Sequence, residues 1–145
     1  MTFIAKDIAD QLKTSTSIYD DVAPHIYLDT IPQGVDWEKA IVVSEVSAEP
    51  AYYLAGEAGT HTTVVQVQYW TDGTGGRTKA NTGAELIRNR LSGYRGQFGT
   101  GVRGTSRLIS TTPLLPPPID GSDNRRRGVN LDFEIIHRAA APDFT

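Results

Sequence analysis

The feature that most constrains the fold is a strict two-residue alternation near the C-terminus. Residues 129–135 place Val, Leu, Phe and Ile at every second position, with Asn, Asp and Glu between them. Successive side chains of a β-strand point to opposite faces, so this segment predicts a strand with one buried face and one wet face. Such alternation is typical of antiparallel sheets, because strands of a doubly wound parallel sheet are continuously apolar.

The rest of the chain supplies strands and helices that can cover this face. Apolar residues at helical spacing predict helices near residues 4–13 and 77–92. Further strands are predicted at 41–46, 62–71 and 105–112, with an irregular segment at 18–39 and a hairpin connection at 47–61. We therefore expect an α+β fold in which a four-stranded antiparallel sheet has two helices packed on one face.

The length of 145 residues suits a single domain spanning 1–145. Its Pro-rich and Arg-rich stretch predicts an extended loop at about 112–127, and residues 139–145 predict a flexible tail. The sequence contains no Cys, which excludes a disulfide framework, a thiolate zinc site and a Cys nucleophile. Apolar runs are far shorter than the roughly 20 residues that span a bilayer, and charged residues leave no room for a secretory segment at the N-terminus. We expect an intracellular soluble protein, or one that matures inside a cell, with no membrane partner.

The net charge of −3 hides an uneven distribution of charge along the chain. Residues 1–72 contain three Lys and eleven Asp or Glu, a net charge of −8. Residues 73–145 contain ten Arg, one Lys and six Asp or Glu, a net charge of +5. Such asymmetry points to nucleic acid, a charged tail or complementary surfaces in an assembly. Strands from both halves have to share one sheet, so the sequence leaves open whether the charges are separated in space.

Motifs for catalysis or cofactor binding are weak. Residues 99–104 match G-x-G-x-x-G, but the dinucleotide motif needs a strand before it and a helix after it. Here a glycine-rich loop precedes the match and strand-forming residues follow it. His25, His61 and His137 lack the spacing of metal ligands, and no nucleophile motif such as G-x-S-x-G is present. We therefore expect no enzyme activity, no cofactor and no metal site.

Two clusters are candidates for an assembly interface. Arg125, Arg126 and Arg127 fall in the expected exposed loop, and the planar arginine fork binds carboxylate or phosphate. Tyr52 and Tyr53 fall in the expected hairpin connection, where they either anchor an interface or pack under their own loop. Nucleic-acid binding by the three arginines is a weaker hypothesis, because the net charge is negative and the aromatic residues cluster elsewhere.

The order of several segments resembles a known family. Ile26-Tyr27 precedes Ile31-Pro32-Gln33-Gly34, and Tyr53-Leu54-Ala55-Gly56 leads into a strand, a glycine-rich turn and an Ala-rich helix. The chain then closes on the strand at 128–138. Over residues 3–138 this succession resembles the tail-completion or tail-terminator proteins of long-tailed bacteriophages and phage-like particles. The stretch 112–127 departs from that pattern, because it is longer and richer in Pro and Arg.

The resemblance implies a virion structural protein of the tail and neck, assembled in the host cytoplasm. Its subunits are expected to form a homo-oligomeric ring, typically a hexamer, that caps the tail tube, ends its polymerisation and joins it to the head. The implied partners are the tail tube protein and a head-completion or connector protein, with nucleic acid only passing through the ring. A head-closure or connector protein is the alternative. A cyclic ring joins unlike patches of neighbouring subunits, which the uneven charge can supply.

Overall fold

The computed structural model describes residues 4–53, 56–73, 75–99, 101, 103–114 and 126–138, with the backbone alone at 47–53, 56–60 and 138. Within these residues the chain forms three helices and six strands. In chain order they are α1 (Ile4–Lys13), α2 (Thr16–Val22), β1 (Ile26–Leu28), β2 (Lys39–Tyr53), β3 (Gly56–Asp72), α3 (Gly76–Leu91), β4 (Arg95–Gln97), β5 (Arg103–Leu114) and β6 (Arg126–Arg138).

The strands form one mixed sheet in the order β1-β2-β3-β6-β5-β4. β1 runs parallel to β2, and the other neighbours are antiparallel. The prediction of a four-stranded antiparallel sheet with two helices is therefore wrong: across the described residues the sheet has six strands, one pair is parallel, and there are three helices.

The elements that the sequence did not predict are short. The segment at 18–39, expected to be irregular, contains most of α2 and all of β1. The Ser15 side chain accepts a hydrogen bond from the Ile18 backbone N–H at 3.4 Å, so the polar run that ends α1 also caps the start of α2. Three-residue strands such as β1 and β4 are too short to show an alternation in sequence.

The hairpin formed by β2 and β3 is much longer than expected. The two strands pair from Lys39↔Thr71 to Tyr53↔Gly56, so the expected connection over 47–61 is almost entirely strand. Register shifts between Glu45 and Ser47 and between Pro50 and Tyr52 disrupt the alternation that would identify a strand.

One face of the sheet carries the apolar core under the helices. Ile4, Ile8 and Leu12 of α1 are at most 1% exposed, and α1 packs against β1 and β2. α3 packs against β3 and β6 through a stripe that includes Ile87 and Leu91, both fully buried. The sheet contributes alternate residues to this core: Ile41, Val43, Val65, Val67, Tyr69, Val129, Leu131, Phe133 and Ile135.

The opposite face of the sheet is polar along its centre. The Ser110 hydroxyl donates to Asp132 Oδ2 at 2.8 Å, and Asn130 Nδ2 donates to Asp132 Oδ1 at 3.1 Å. Gln66 lies beside Asp132 on β3, and Gln68 accepts a 3.1 Å hydrogen bond from the Trp70 indole. Among the described helices, none is long and apolar enough to cross a membrane.

Candidate assembly surfaces

The structure places four of the five candidate interface residues, and it separates the two tyrosines from the two arginines. Tyr52 and Tyr53 belong to β2, where they pair with Glu57 and Gly56 at one end of β3. Arg126 and Arg127 begin β6 and pair with Asp72 and Thr71 at the other end of β3. At about 3.3 Å per residue, the two groups lie roughly 50 Å apart along that strand. Arg125 lies outside the described residues. For Tyr52 and Tyr53 the structure describes the backbone and not the side chains.

Arg126 lines a cleft at the end of the sheet where β2 begins and β3 ends. Its Nε atom lies 3.6 Å from Asp72 Oδ2, and its guanidinium carbon lies 5.1 Å from the ring centroid of Trp37. The cleft has a volume of about 510 Å³ and is also lined by Asp36 and Glu38. The sequence placed Arg126 and Arg127 in an exposed loop, but both belong to a strand. Their partners are more than 50 residues away in sequence, so no local signal could have indicated this arrangement.

The inner wall of the cleft includes a half-buried polar contact between α2 and the sheet. Lys39 Nζ lies 2.6 Å from Asp21 Oδ1, and the Tyr69 hydroxyl donates to Asp21 Oδ2. Tyr69 is 1% exposed. Burial first, and then the hydrogen bond and charge of Asp21, raise the pKa of Tyr69 far above its ordinary value. This contact ties the last turn of α2 to β2 and β3.

Replacing Tyr69 with Phe tests this contact through the pH dependence of stability. A hydrogen bond to a charged group contributes about 1.5–3 kcal/mol, so Tyr69→Phe is expected to lower the free energy of unfolding by that amount near pH 7. The raised pKa means that the folded state holds the phenol proton more tightly. The contribution of Tyr69 is therefore full below the unfolded value of about 10 and is lost as pH rises above it.

Urea denaturation of the wild type and of Tyr69→Phe at about pH 7, 9 and 11 measures this effect. The two stabilities should converge as pH rises past about 10, because only the wild type loses the contribution of this phenol. A difference that stays constant across this range would contradict the assignment.

Carboxylates gather at the β1 and β2 side of the sheet. Residues 18–46 contain six Asp or Glu and one Lys. Asp29 follows β1, and its N–H donates to the Val43 carbonyl of β2 at 3.0 Å. Burial and the nearby charge of Asp29 raise the pKa of Glu45. Two carboxylates thus repel each other at this edge, and we call Asp29, Glu45 and the neighbouring Val46 the acidic edge.

Arginines gather at the opposite side of the sheet, on β4 and β5. Residues 92–114 contain three Arg and no acidic residue. Arg95, Arg103 and Arg107 are all exposed, and Arg107 Nη2 lies 3.2 Å from Glu134 Oε2. We call these three residues, with Ile109, the arginine edge. The strand order therefore separates the two charged edges in space, because within the sheet the strands of the acidic half pair with those of the basic half only between β3 and β6.

The glycine-rich match at 99–104 lacks the context of a nucleotide site. It leads directly into β5, whereas a dinucleotide motif leads into a helix. The loop packs on α1: the Gly99 N–H donates to Gln11 Oε1 at 2.8 Å, and a Cβ at Gly101 would overlap the Asp7 carboxylate. Gly99 and Gly101 therefore allow the close approach of this loop to α1.

Each histidine contacts a hydroxyl group or another ring within the chain. His25 Nδ1 lies 2.7 Å from the Tyr27 hydroxyl, and His137 Nε2 lies 2.9 Å from the Thr63 hydroxyl. The rings of His61 and His137 meet edge to face with centroids 5.7 Å apart. In the part of the chain that the structure describes, no three His, Cys, Asp or Glu side chains are grouped to hold a metal ion.

Comparison with known proteins identifies the family. The sequence matches the family described as "Tail completion protein gp17" over residues 6–138. A chain from the structure entitled "Virion of native gene transfer agent (GTA) particle" has a similar fold, with a TM-score of 0.72, 16% identity, and coverage of 91% of this chain and 92% of that chain. A second solved structure gives a TM-score of 0.51 at 17% identity, covering 97% of this chain and 93% of that chain. Among curated protein sequences, none matched.

The family match spans nearly the whole chain, including all six strands and most of α1. The resemblance to tail-completion proteins expected from the sequence is thereby confirmed. The chain belongs to the tail completion protein gp17 family and is a structural protein of a virion tail.

Proposed function

We propose that the protein is the subunit of a ring, typically a hexamer, that caps the finished tail tube. The ring stops addition of further tube protein and presents its other surface to a head-completion or connector protein. The observation that carries this proposal is the separation of charge between the two edges of the sheet in a member of the tail completion family.

Charge separation favours a ring because of the symmetry that a ring requires. In a cyclic assembly, each subunit contacts its neighbour through two different patches, and the interface repeats until the ring closes. The acidic edge and the arginine edge lie on opposite sides of the sheet, so each subunit presents unlike charges to its two neighbours. A two-fold dimer would instead place like edges together, and the repulsion between them opposes that arrangement.

Imaging of tail tubes tests this function. Tail tube protein is polymerised in the absence and in the presence of the purified protein, and tube lengths are measured by negative-stain electron microscopy. We expect shorter tubes that carry a ring at one end when the protein is present. Tubes that reach the same length under both conditions, with no ring at either end, would contradict the proposal.

Tube length also distinguishes the head-closure alternative. A head-closure protein would leave tube length unchanged and would leave the tube ends bare, whereas a capping ring shortens the tubes and binds their ends. Nucleic-acid binding by the arginine cluster is weakened by the structure, since Arg126 lies against Asp72 and Trp37 at the cleft.

A further inference from the structure

The short outer strands β1 and β4 cover only a small part of the long strands β2 and β5 beside them. β1 pairs with residues 41–43 of β2, and from Ser44 to Tyr53 no described strand pairs with the edge of β2 that faces away from β3. β4 pairs with residues 103–105 of β5, and from Arg107 to Leu114 no described strand pairs with the edge of β5 that faces away from β6. Open strand edges present backbone donors and acceptors that favour pairing with another chain.

Each uncovered segment contains a bulge with an exposed aliphatic side chain. Val46 lies at the register shift in β2 and is 55% exposed, and Ile109 lies at the register shift in β5 and is 49% exposed. Both bulges lie beside the same row of paired residues, which runs across the sheet from Glu45 through Val65 and Phe133 to Leu108. The two exposed side chains are therefore at the same level on opposite edges.

We infer that the acidic edge of one subunit docks against the arginine edge of the next copy of this chain. This arrangement brings Val46 against Ile109 and places the carboxylates of Asp29 and Glu45 near the arginines of the neighbour. The inference rests on the proposed ring and adds to it by naming the two surfaces that join its subunits.

Strand direction and charge both fit this contact. β2 and β5 run in opposite directions within one sheet, because three antiparallel pairings separate them. Placed edge to edge in neighbouring copies with the same orientation, they are antiparallel. The bulges and Pro113, which has no N–H to donate, interrupt a regular ladder, so side chains rather than continuous backbone pairing determine the register.

The charges at the two edges of one subunit also favour a second copy of this chain as the binding partner. At the acidic edge, Asp29 and Glu45 lie close enough to repel each other. At the arginine edge, Arg95 and Arg103 are exposed and have no carboxylate within 4 Å among the described residues. Joining the edges brings opposite charges together, and the contact should weaken as salt concentration rises.

Disulfide trapping tests the contact directly, because the chain has no Cys of its own. Val46→Cys and Ile109→Cys are prepared separately, mixed at high concentration and oxidised. We expect the mixture to give a disulfide-linked dimer and each variant alone to give little. A chain carrying both substitutions should give a ladder of linked oligomers that ends at the size of the closed ring.

A matched control places the cysteine on an exposed residue of a helix, outside the residues that define either edge. Tyr19 of α2 is 42% exposed, so Tyr19→Cys mixed with Ile109→Cys measures linking by random collision. Unfolding curves confirm that all variants are folded. The inference is overturned by absence of the mixed dimer, by equal linking of the control, or by efficient linking of Val46→Cys to itself.

The disulfide-trapping experiment and the tube-capping experiment can fail independently of each other. Linking of residues 46 and 109 without any effect on tube length would support the contact and count against the capping function. Capping of tubes without linking would support the function and overturn the contact.

Discussion

Phe133→Ala is expected to lower the free energy of unfolding by about 3–5 kcal/mol, the largest effect of any single change considered. Phe133 is fully buried and lies in the middle of β6, paired with Val65 on one side and Leu108 on the other. Truncation removes apolar contacts and leaves a cavity. The cavity cannot close, because β6 is paired with β3 on one side and with β5 on the other. Because domains of this size have a total stability of about 5–15 kcal/mol, the variant should be marginally folded.

Ile136→Ala on the same strand is the matched control. Ile136 lies on the opposite face and is 45% exposed, so its truncation should change stability by less than about 0.5 kcal/mol. Urea denaturation of both variants measures the difference. Equal losses at the two positions would contradict the assignment of the faces of β6.

Gly83→Ala is expected to destabilise the protein by about 1–3 kcal/mol, although alanine is the better helix former. Gly83 lies in α3 with Tyr69 beneath it, and a Cβ at this position would overlap three carbon atoms of the Tyr69 ring. The ring has little freedom to move, since Tyr69 is buried and its hydroxyl is bonded to Asp21. α3 would have to move away from the sheet to accommodate the methyl group.

A double-mutant cycle distinguishes this clash from a general intolerance of α3 to substitution. In a Tyr69→Leu background the ring is absent, so Gly83→Ala should become neutral or stabilise the helix by up to about 1 kcal/mol. Thermal unfolding of the four proteins gives the coupling. A loss from Gly83→Ala that is the same in both backgrounds would contradict the packing of α3 on Tyr69.

Long periodic segments could be predicted from sequence, whereas short ones could not. α1, α3 and β6 repeat their apolar residues over 10 to 16 residues, enough to define a helical or strand period. α2 has seven residues and β1 and β4 have three each. These short elements depend on tertiary contacts such as Ser15 capping α2 and β1 pairing with β2, which no local pattern reveals.

The positions of the candidate interface residues depend on contacts between residues that are distant in sequence. Clusters in sequence suggested Tyr52, Tyr53, Arg125, Arg126 and Arg127, but partners distant in sequence decide the position of Arg126. The acidic and arginine edges depend on strand order. The uneven charge of the two halves was visible in the sequence, but its separation onto opposite edges required knowing that β3 and β6 lie between them.

Electron cryomicroscopy of intact tails bearing the protein would show both where the subunits lie and which of their edges meet. We expect one closed ring at the end of the tail tube, in which the acidic edge of each subunit faces the arginine edge of the next. Subunits absent from the tube end, or related by two-fold axes with like edges in contact, would contradict it.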